Sequence, residues 1–323
     1  MKKELSKKFN ESAMLPSQSV EINSLFEKIL KYKVDQEGNF YNITLDIIME
    51  DLKMLEKENV FAIDSEELKP TKAKKFKFDP ILEDFVLGAG GSIISKNNPE
   101  TKQIPLALRG LGRSKLIKEC IELNRDFYFI DTGYFGNGKK KIYHRITKND
   151  LQELGPVVPR PKDRLAQAGW EKKKFTKGSN ILLCLPSEKV MNHFGLDLQQ
   201  WISSTVTEIQ KHTDRKIVIR EKPSRSERVN NDTIFDALSR DVHCLVTFNS
   251  IAAIESLMAG KPAFTLGPNA AQSLCLSDLS KIETPYIPSL DEVEELLAHL
   301  AYCQFTQEEM SNGFAWKVLS GEL

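Results

Sequence analysis

Arg220 and Lys222, Asn249 and Ser250, Ser187 and Glu255 are residues whose types together suit one chemistry, the binding of a nucleoside diphosphate. Arg220 and Lys222 offer fixed positive charge, and a guanidinium adds directed hydrogen bonds to phosphate oxygens. Asn249 and Ser250 stand where the apolar run HCLVTF gives way to IAAIESLMAG. This placement predicts that Ser250 is the N-cap of a helix whose free amides and positive dipole end suit phosphate. Ser187, after ILLCLP, adds a hydroxyl, and Glu255, five residues into the helix, adds a carboxylate for ribose hydroxyls. Singly, each has a plainer role: a serine before a helix is usually a cap, and a helical glutamate is usually solvated. Their recurrence after successive apolar runs is the informative feature.

Such side chains converge only if the runs they follow are neighbouring strands. Residues 181–185, 216–220, 243–248 and 262–266 read as strands, separated by helices over 197–212, 233–240 and 251–259. Apolar strands each followed by one helix predict a parallel sheet covered on both faces. Ligands of such sheets sit outside the carboxyl ends of the strands, which points to the loops PSEK, REKPSR, FNSIA and LGPNA. A shorter version of the same rhythm precedes it, with a strand over 104–108, a helix over 113–123 and a strand over 126–130. Pro156, Pro159 and Pro161 stiffen a basic stretch that reads as a linker over 156–179. The expected organisation is therefore a mostly helical extension over 1–78, an α/β domain over 79–155, the linker, and a second α/β domain over 180–311. Within the extension, helices are expected near 21–33 and 45–59 and a short strand over 60–63. It reads either as a winged-helix-like module or as a helical prop on the catalytic body.

Length and composition exclude several classes. At about 150 residues per domain, 323 residues imply two domains. No apolar run approaches the roughly 18 residues of a membrane span, and the start MKKELSKKFNESAMLPSQ lacks an apolar signal core, so a cytoplasmic protein without a membrane partner is expected. Five cysteines, widely spaced and never in a CxxC, read as free thiols, and the five histidines form no HExxH or i, i+4 pair with one another. No metal cage is expected. GLGRSK and GAGGSI both fail GxGxxG, and neither GxxxxGK[ST] nor GxSxG occurs, which disfavours dehydrogenases, P-loop kinases and α/β-hydrolases. Formal neutrality hides a block, residues 101–180, with 18 Lys and Arg against 8 Asp and Glu, a net +10. Such a block attracts a polyanion or a phosphorylated substrate, or simply solvates a linker through Lys172–Lys174.

The segment TFNSIAAIESLMAGKPAF resembles the nucleotide-sugar signature of GT-B-fold glycosyltransferases and sugar-nucleotide epimerases. The order RGLGRSKL, YFIDTGYFG, YHRITKNDLQ, IREKP, FNSIAAIESLMAGKPAF and LAYCQFTQEEMSNGFAWKVL is similar to glycosyltransferase-like proteins of bacteriophages and bacterial capsule loci, over about residues 104–319. The resemblance implies an α/β, GT-B-like fold of two Rossmann-like domains facing a cleft, with the donor on the C-terminal domain and the acceptor on the other. It also implies metal-independent transfer with no cofactor beyond the nucleotide-sugar co-substrate, in keeping with the absence of a DxD. A C-terminal helix within 312–323 is expected to return to the first domain.

Transfer requires a base for the acceptor hydroxyl. Asp131, directly after DFYFI and beside Gly133, is the expected base, its plainer alternative being an Asx-turn in its own loop. His144 is the second candidate, with Arg145, Arg109 and Gly110 as further cleft residues. The expected reaction is inverting transfer from a UDP-sugar. The phage-like resemblance and the basic block together favour duplex DNA carrying hydroxymethylcytosine as acceptor, in a bacterial host's cytoplasm if the chain is phage-encoded, with Arg113, Lys115, Lys139, Lys140 and Lys141 on its phosphates. The alternatives are transfer to capsule or another glycan, epimerisation of a sugar nucleotide, and DNA binding without catalysis.

Overall fold

The computed structural model of the protein describes residues 61–63, 79–94, 104–137, 141–221 and 233–323. The helices expected near 21–33 and 45–59, together with Lys139, Lys140, Lys222 and the side chain of Arg113, lie outside the described residues. Residues 58–323 belong to one compact unit, which carries two sheets.

The first sheet has six strands in the order β10-β5-β4-β3-β1-β2. They are β1 Phe61–Ile63, β2 Ser92–Ile94, β3 Leu106–Arg109, β4 Phe127–Thr132, β5 Tyr143–Lys148 and β10 Gln304–Thr306. β2, β1, β3 and β4 run parallel, whereas β5 is antiparallel to both β4 and β10. The sheet is therefore mixed. Alternate residues of β4 serve two cores. Tyr128 and Ile130 pack with α1 (Pro80–Gly88), α9 (Gln307–Ser311) and α10 (Phe314–Leu319), while Phe127 and Phe129 pack with α2 (Ser114–Glu122). The helix α1 starts where Pro80 supplies a preset φ and Asp79 accepts the amide of Ile81 at 3.1 Å.

The second sheet, β7-β6-β8-β9, is entirely parallel, from β6 Asn180–Cys184, β7 Ile217–Arg220, β8 Val242–Thr247 and β9 Ala263–Thr265. Every residue of β8 is buried, as expected for a strand with cores on both faces. One face packs against α6 (Ile234–Leu238), α7 (Ala252–Met258) and α8 (Leu290–Ala301), the other against α5 (Leu198–Gln210). The serine-glutamate capping box of Ser289 and Glu292 starts α8.

Three expected boundaries move. Phe61–Ile63 is a strand of the first sheet, so that sheet begins before residue 79. Gln304–Thr306 pairs with β5, so the chain returns to the first sheet before residue 312. The stretch 156–179 is no free spacer: α3 (Asp163–Gln167) buries Leu165, and Arg164 donates to the carbonyls of Ala301 at 2.9 Å and Gln304 at 2.8 Å and pairs with Glu309. Three prolines announce stiffness, but the anchoring comes from Leu165, Arg164 and ion pairs such as Lys162 with Glu294, whose partners meet only in the folded chain.

Candidate functional site

The loops that follow the second sheet's strands carry the expected donor residues. Arg220 ends β7, half-buried, in register beside Cys184 of β6. Burial pushes the Cys184 thiol up to about 12, while the charge of Arg220 pulls it down and that of Glu255 pushes it up. Arg220 and Glu255 therefore lie within electrostatic reach of the same sulfur, at the carboxyl end of β6. Ser187 is the exposed N-cap of α4 (Glu188–His193), its hydroxyl accepting the Val190 amide at 3.4 Å.

Ser250 stands at the start of α7, where a cap is expected. The helix runs from Ala252, and Ile251 before it is already in helical conformation and offers no side-chain cap of its own. The Ser250 hydroxyl accepts the Ala252 amide at 3.2 Å, two residues on, as in a serine turn. Its carbonyl accepts from the amide of fully buried Asn269 at 2.9 Å, and Asn269 in turn accepts the Ala271 amide at 3.0 Å. Asn269 thus ties the loop after β8 to the loop after β9. Asn249 is buried, and its carbonyl accepts from Gln152 at 2.9 Å.

At the first sheet, Asp131 lies inside β4 rather than after it. One carboxylate oxygen accepts the Thr132 amide at 2.7 Å and the other pairs with Arg145 at 3.2 Å, so in place of the alternative Asx-turn there is a cross-strand ion pair at register partners. The Asp131 side chain is 42% exposed against 8% for Arg145. Arg145 also donates to the carbonyls of Thr132 at 2.6 Å and Leu151 at 3.3 Å. This corrects its expected place: Arg145 is a buried clamp on Asp131, not an open cleft contact. Gly133 is required beside it, because a Cβ there would come within 2.8 Å of the Tyr143 Cβ and 2.9 Å of the Gln304 amide oxygen.

His144 is opposite Thr132, one residue out of phase with the Asp131–Arg145 pair and hence on the other face of the sheet. It is buried, and its Nδ1 has no hydrogen-bond partner among the described residues. Burial, reinforced by the charges of Arg109 and Lys141 and opposed by Asp79 and Asp131, pushes it down to about 4. It is neutral at pH 7. Arg109, half-buried, forms an ion pair with Asp79, and Gly110 follows at φ +63°. Lys141, exposed, donates to the Thr132 hydroxyl at 2.6 Å, while Lys115 is exposed on α2.

Hydrogen bonds and apolar contacts join the sheets near these loops. Ser114, at the start of α2, meets His193 Nδ1 of α4 at 2.7 Å, and Gln152 reaches Asn249. Phe194 packs against the buried cluster of Leu108, Ile117 and Phe129, while Tyr134 and Phe135 enter the core of the second sheet. Sequence reasoning missed Gln152, Asn269, Ser114 and His193, which contact residues distant in sequence and carry no local signature. It also missed a group in which ligand atoms of Glu153, His299 and Cys303 lie within 4.8 Å of one another. The i, i+4 spacing of His299 and Cys303 was the available signal.

No protein-family model and no curated protein matches the chain. Among solved structures it is similar to two from Thermosulfurimonas dismutans KpsC. The beta Kdo 2,4 transferase is 15% identical with a TM-score of 0.44, over 77% of this chain and 92% of that one. The beta Kdo 2,7 transferase is 15% identical with a TM-score of 0.46, over 82% of this chain and 100% of that one. No residue role follows from likeness at this level. Among the described residues, no helix is long and apolar enough to cross a membrane.

Proposed function

We propose that the protein is a glycosyltransferase. A nucleotide-sugar donor binds at the carboxyl edge of the second sheet, and the acceptor hydroxyl is presented at the edge of the first. The observation that carries this reading is the junction of the two sheets: Ser114 to His193 at 2.7 Å and Gln152 to Asn249 at 2.9 Å bring the start of α2 and the loop after β5 against the end of α4 and the loop after β8. A parallel sheet offers its ligand site at that edge, and Arg220 and Glu255 flank it with charges suited to phosphate and ribose. Ser187, Ser250 and Lys222 are assigned to the same donor. A UDP-sugar is the donor to test first.

Asp131 is the proposed base. As the acceptor oxygen bonds to the anomeric carbon, its proton passes to the Asp131 carboxylate and the nucleoside diphosphate leaves with the bonding pair. Arg145 orients that carboxylate. One base on one side supports inversion.

The acceptor we favour is a glycan hydroxyl rather than hydroxymethylcytosine in DNA. Six of the block's 18 cations are held in ion pairs: Arg109 with Asp79, Arg145 with Asp131, Lys148 with Asp126, Lys162 with Glu294, Arg164 with Glu309, and Lys172 with Asp291. Cations paired within the fold release few counterions on DNA, so these six add little to the charge argument for a DNA acceptor.

A panel of nucleotide sugars tested by thermal shift and by donor hydrolysis examines this reading. A stabilising donor that is also turned over supports transfer. Conversion to an epimer supports the epimerase alternative. Steep salt-dependent binding to DNA with no response to any donor would leave the non-catalytic alternative standing.

A further inference from the structure

Glu153, His299 and Cys303 come from two distant parts of the chain. Glu153 follows β5 and leads into the proline-rich stretch, with its amide donating to the Tyr134 hydroxyl at 2.8 Å. His299 lies in the last turn of α8, and Cys303 lies one residue before β10. Both are buried, and the His299 Nε2 to Cys303 Sγ separation is 3.8 Å. Zinc-to-nitrogen and zinc-to-sulfur bonds of about 2.0–2.1 and 2.3 Å imply a tetrahedral N···S edge of about 3.5 Å. The two side chains thus stand within a few tenths of an ångström of a coordinating geometry, with the Glu153 carboxylate close to both. Beside them lies a pocket of about 220 Å³, lined by Glu153, Gly155, Pro156, Val157, Gln272 and His299. It offers an entry path and room for a water as fourth ligand.

We propose that Glu153, His299 and Cys303 form a binding site for a zinc-class divalent cation, with a fourth position open to the pocket. One thiolate, one imidazole and one carboxylate make a ligand set of borderline softness, suited to zinc rather than to magnesium or calcium. The inference is independent of the sugar-transfer reading.

Besides the bonds that the ligands already make within the fold, the Cys303 thiol donating to the His299 carbonyl at 3.4 Å and the Glu153 carboxylate accepting the Gly155 amide at 2.9 Å, two features oppose the ion. The Val158 amide donates to His299 Nδ1 at 3.3 Å, which fixes the ring proton on Nε2. Coordination through Nε2 moves that proton to Nδ1, so the Val158 amide must turn away. Its bond is long and Val158 is exposed, which makes the change local. Arg160 is the second opponent, since its charge reaches both His299 and Cys303, against that of Glu153. Binding also removes the Cys303 thiol proton, so one proton is released per ion bound.

The test uses the chelator-treated full chain, titrated with Co²⁺ as a spectroscopic probe and then with competing Zn²⁺. The expected result is one equivalent bound, four-coordinate d–d bands, a thiolate-to-cobalt charge-transfer band and a shifted Val158 amide resonance. Cys303→Ser should abolish the charge-transfer band, and Glu153→Gln should keep it while weakening Zn²⁺ binding at least about tenfold. A wild-type chain with no thiolate band, or a band that survives Cys303→Ser, overturns the proposal. Should Cys303→Ser fail to fold, Glu153→Gln and His299→Gln decide, and unchanged Zn²⁺ affinity in both overturns it.

Discussion

Asp131 and Arg145 are register partners on neighbouring strands, and that pairing separates two roles that neighbouring polar residues can blur. The exposed carboxylate faces outward and the buried guanidinium holds it, which leaves Asp131, the proposed base, as the solvent-accessible member of the pair. Asp131→Asn keeps the volume but cannot take a proton. Transfer should fall by about 10²-fold or more with donor affinity unchanged, as measured by initial rates beside calorimetric titration of the donor. Near-normal turnover in the folded variant would reduce Asp131 to a structural partner of Arg145. At the other sheet, Arg220→Ala should weaken nucleotide binding by about 1.5–3 kcal/mol, the value of a hydrogen bond to a charged group. Unchanged titration curves would remove Arg220 from the donor site.

The elements that hold these residues differ in how plainly their sequences announce them. Runs such as ILLCL and HCLVTF are apolar throughout because β6 and β8 are covered on both faces, and the expected strands coincide with the observed ones to within a residue or two. The helix α1 and the strands β5 and β10 were not read. PILEDFVLG is short, and YHRITK mixes charges whose burial depends on partners contributed by β4 and by the 149–151 turn. Of the site, the strand-end loops were legible, whereas Asn269 and Gln152 were not, since their value lies in amide contacts across the fold. The C-terminal return is also a matter of backbone proximity. A Cβ on Gly88 would overlap the Met310 carbonyl oxygen, and Gly313, at φ +81°, turns the chain between α9 and α10 against the same helix end. Gly88→Ala should therefore cost about 3 kcal/mol of stability through overpacking, read as a lower urea midpoint. Gly112→Ala, with open space around it, should leave the midpoint nearly unchanged.

Across the whole molecule, three buried histidines set a common response to acid. His144, His193 and His299 all titrate below their ordinary 6.5, with burial the leading cause in each. The unfolded chain takes up these protons first as pH falls, so native stability is full above about pH 6.5 and declines toward pH 4. For His144 the loss reaches about 3 kcal/mol at most. Urea midpoints measured across that range should fall on acidification, and less steeply in His144→Gln. The central claim is that the joined loops of the two sheets pass a sugar from a nucleotide to a hydroxyl. It is tested most directly by following labelled sugar from a panel of nucleotide sugars onto an oligosaccharide, hydroxymethylcytosine DNA and unmodified DNA, with wild type beside Asp131→Asn. The account predicts labelled oligosaccharide from at least one donor, little dependence on salt, and loss of labelling in Asp131→Asn. A folded protein that neither binds nor turns over any nucleotide sugar would contradict it.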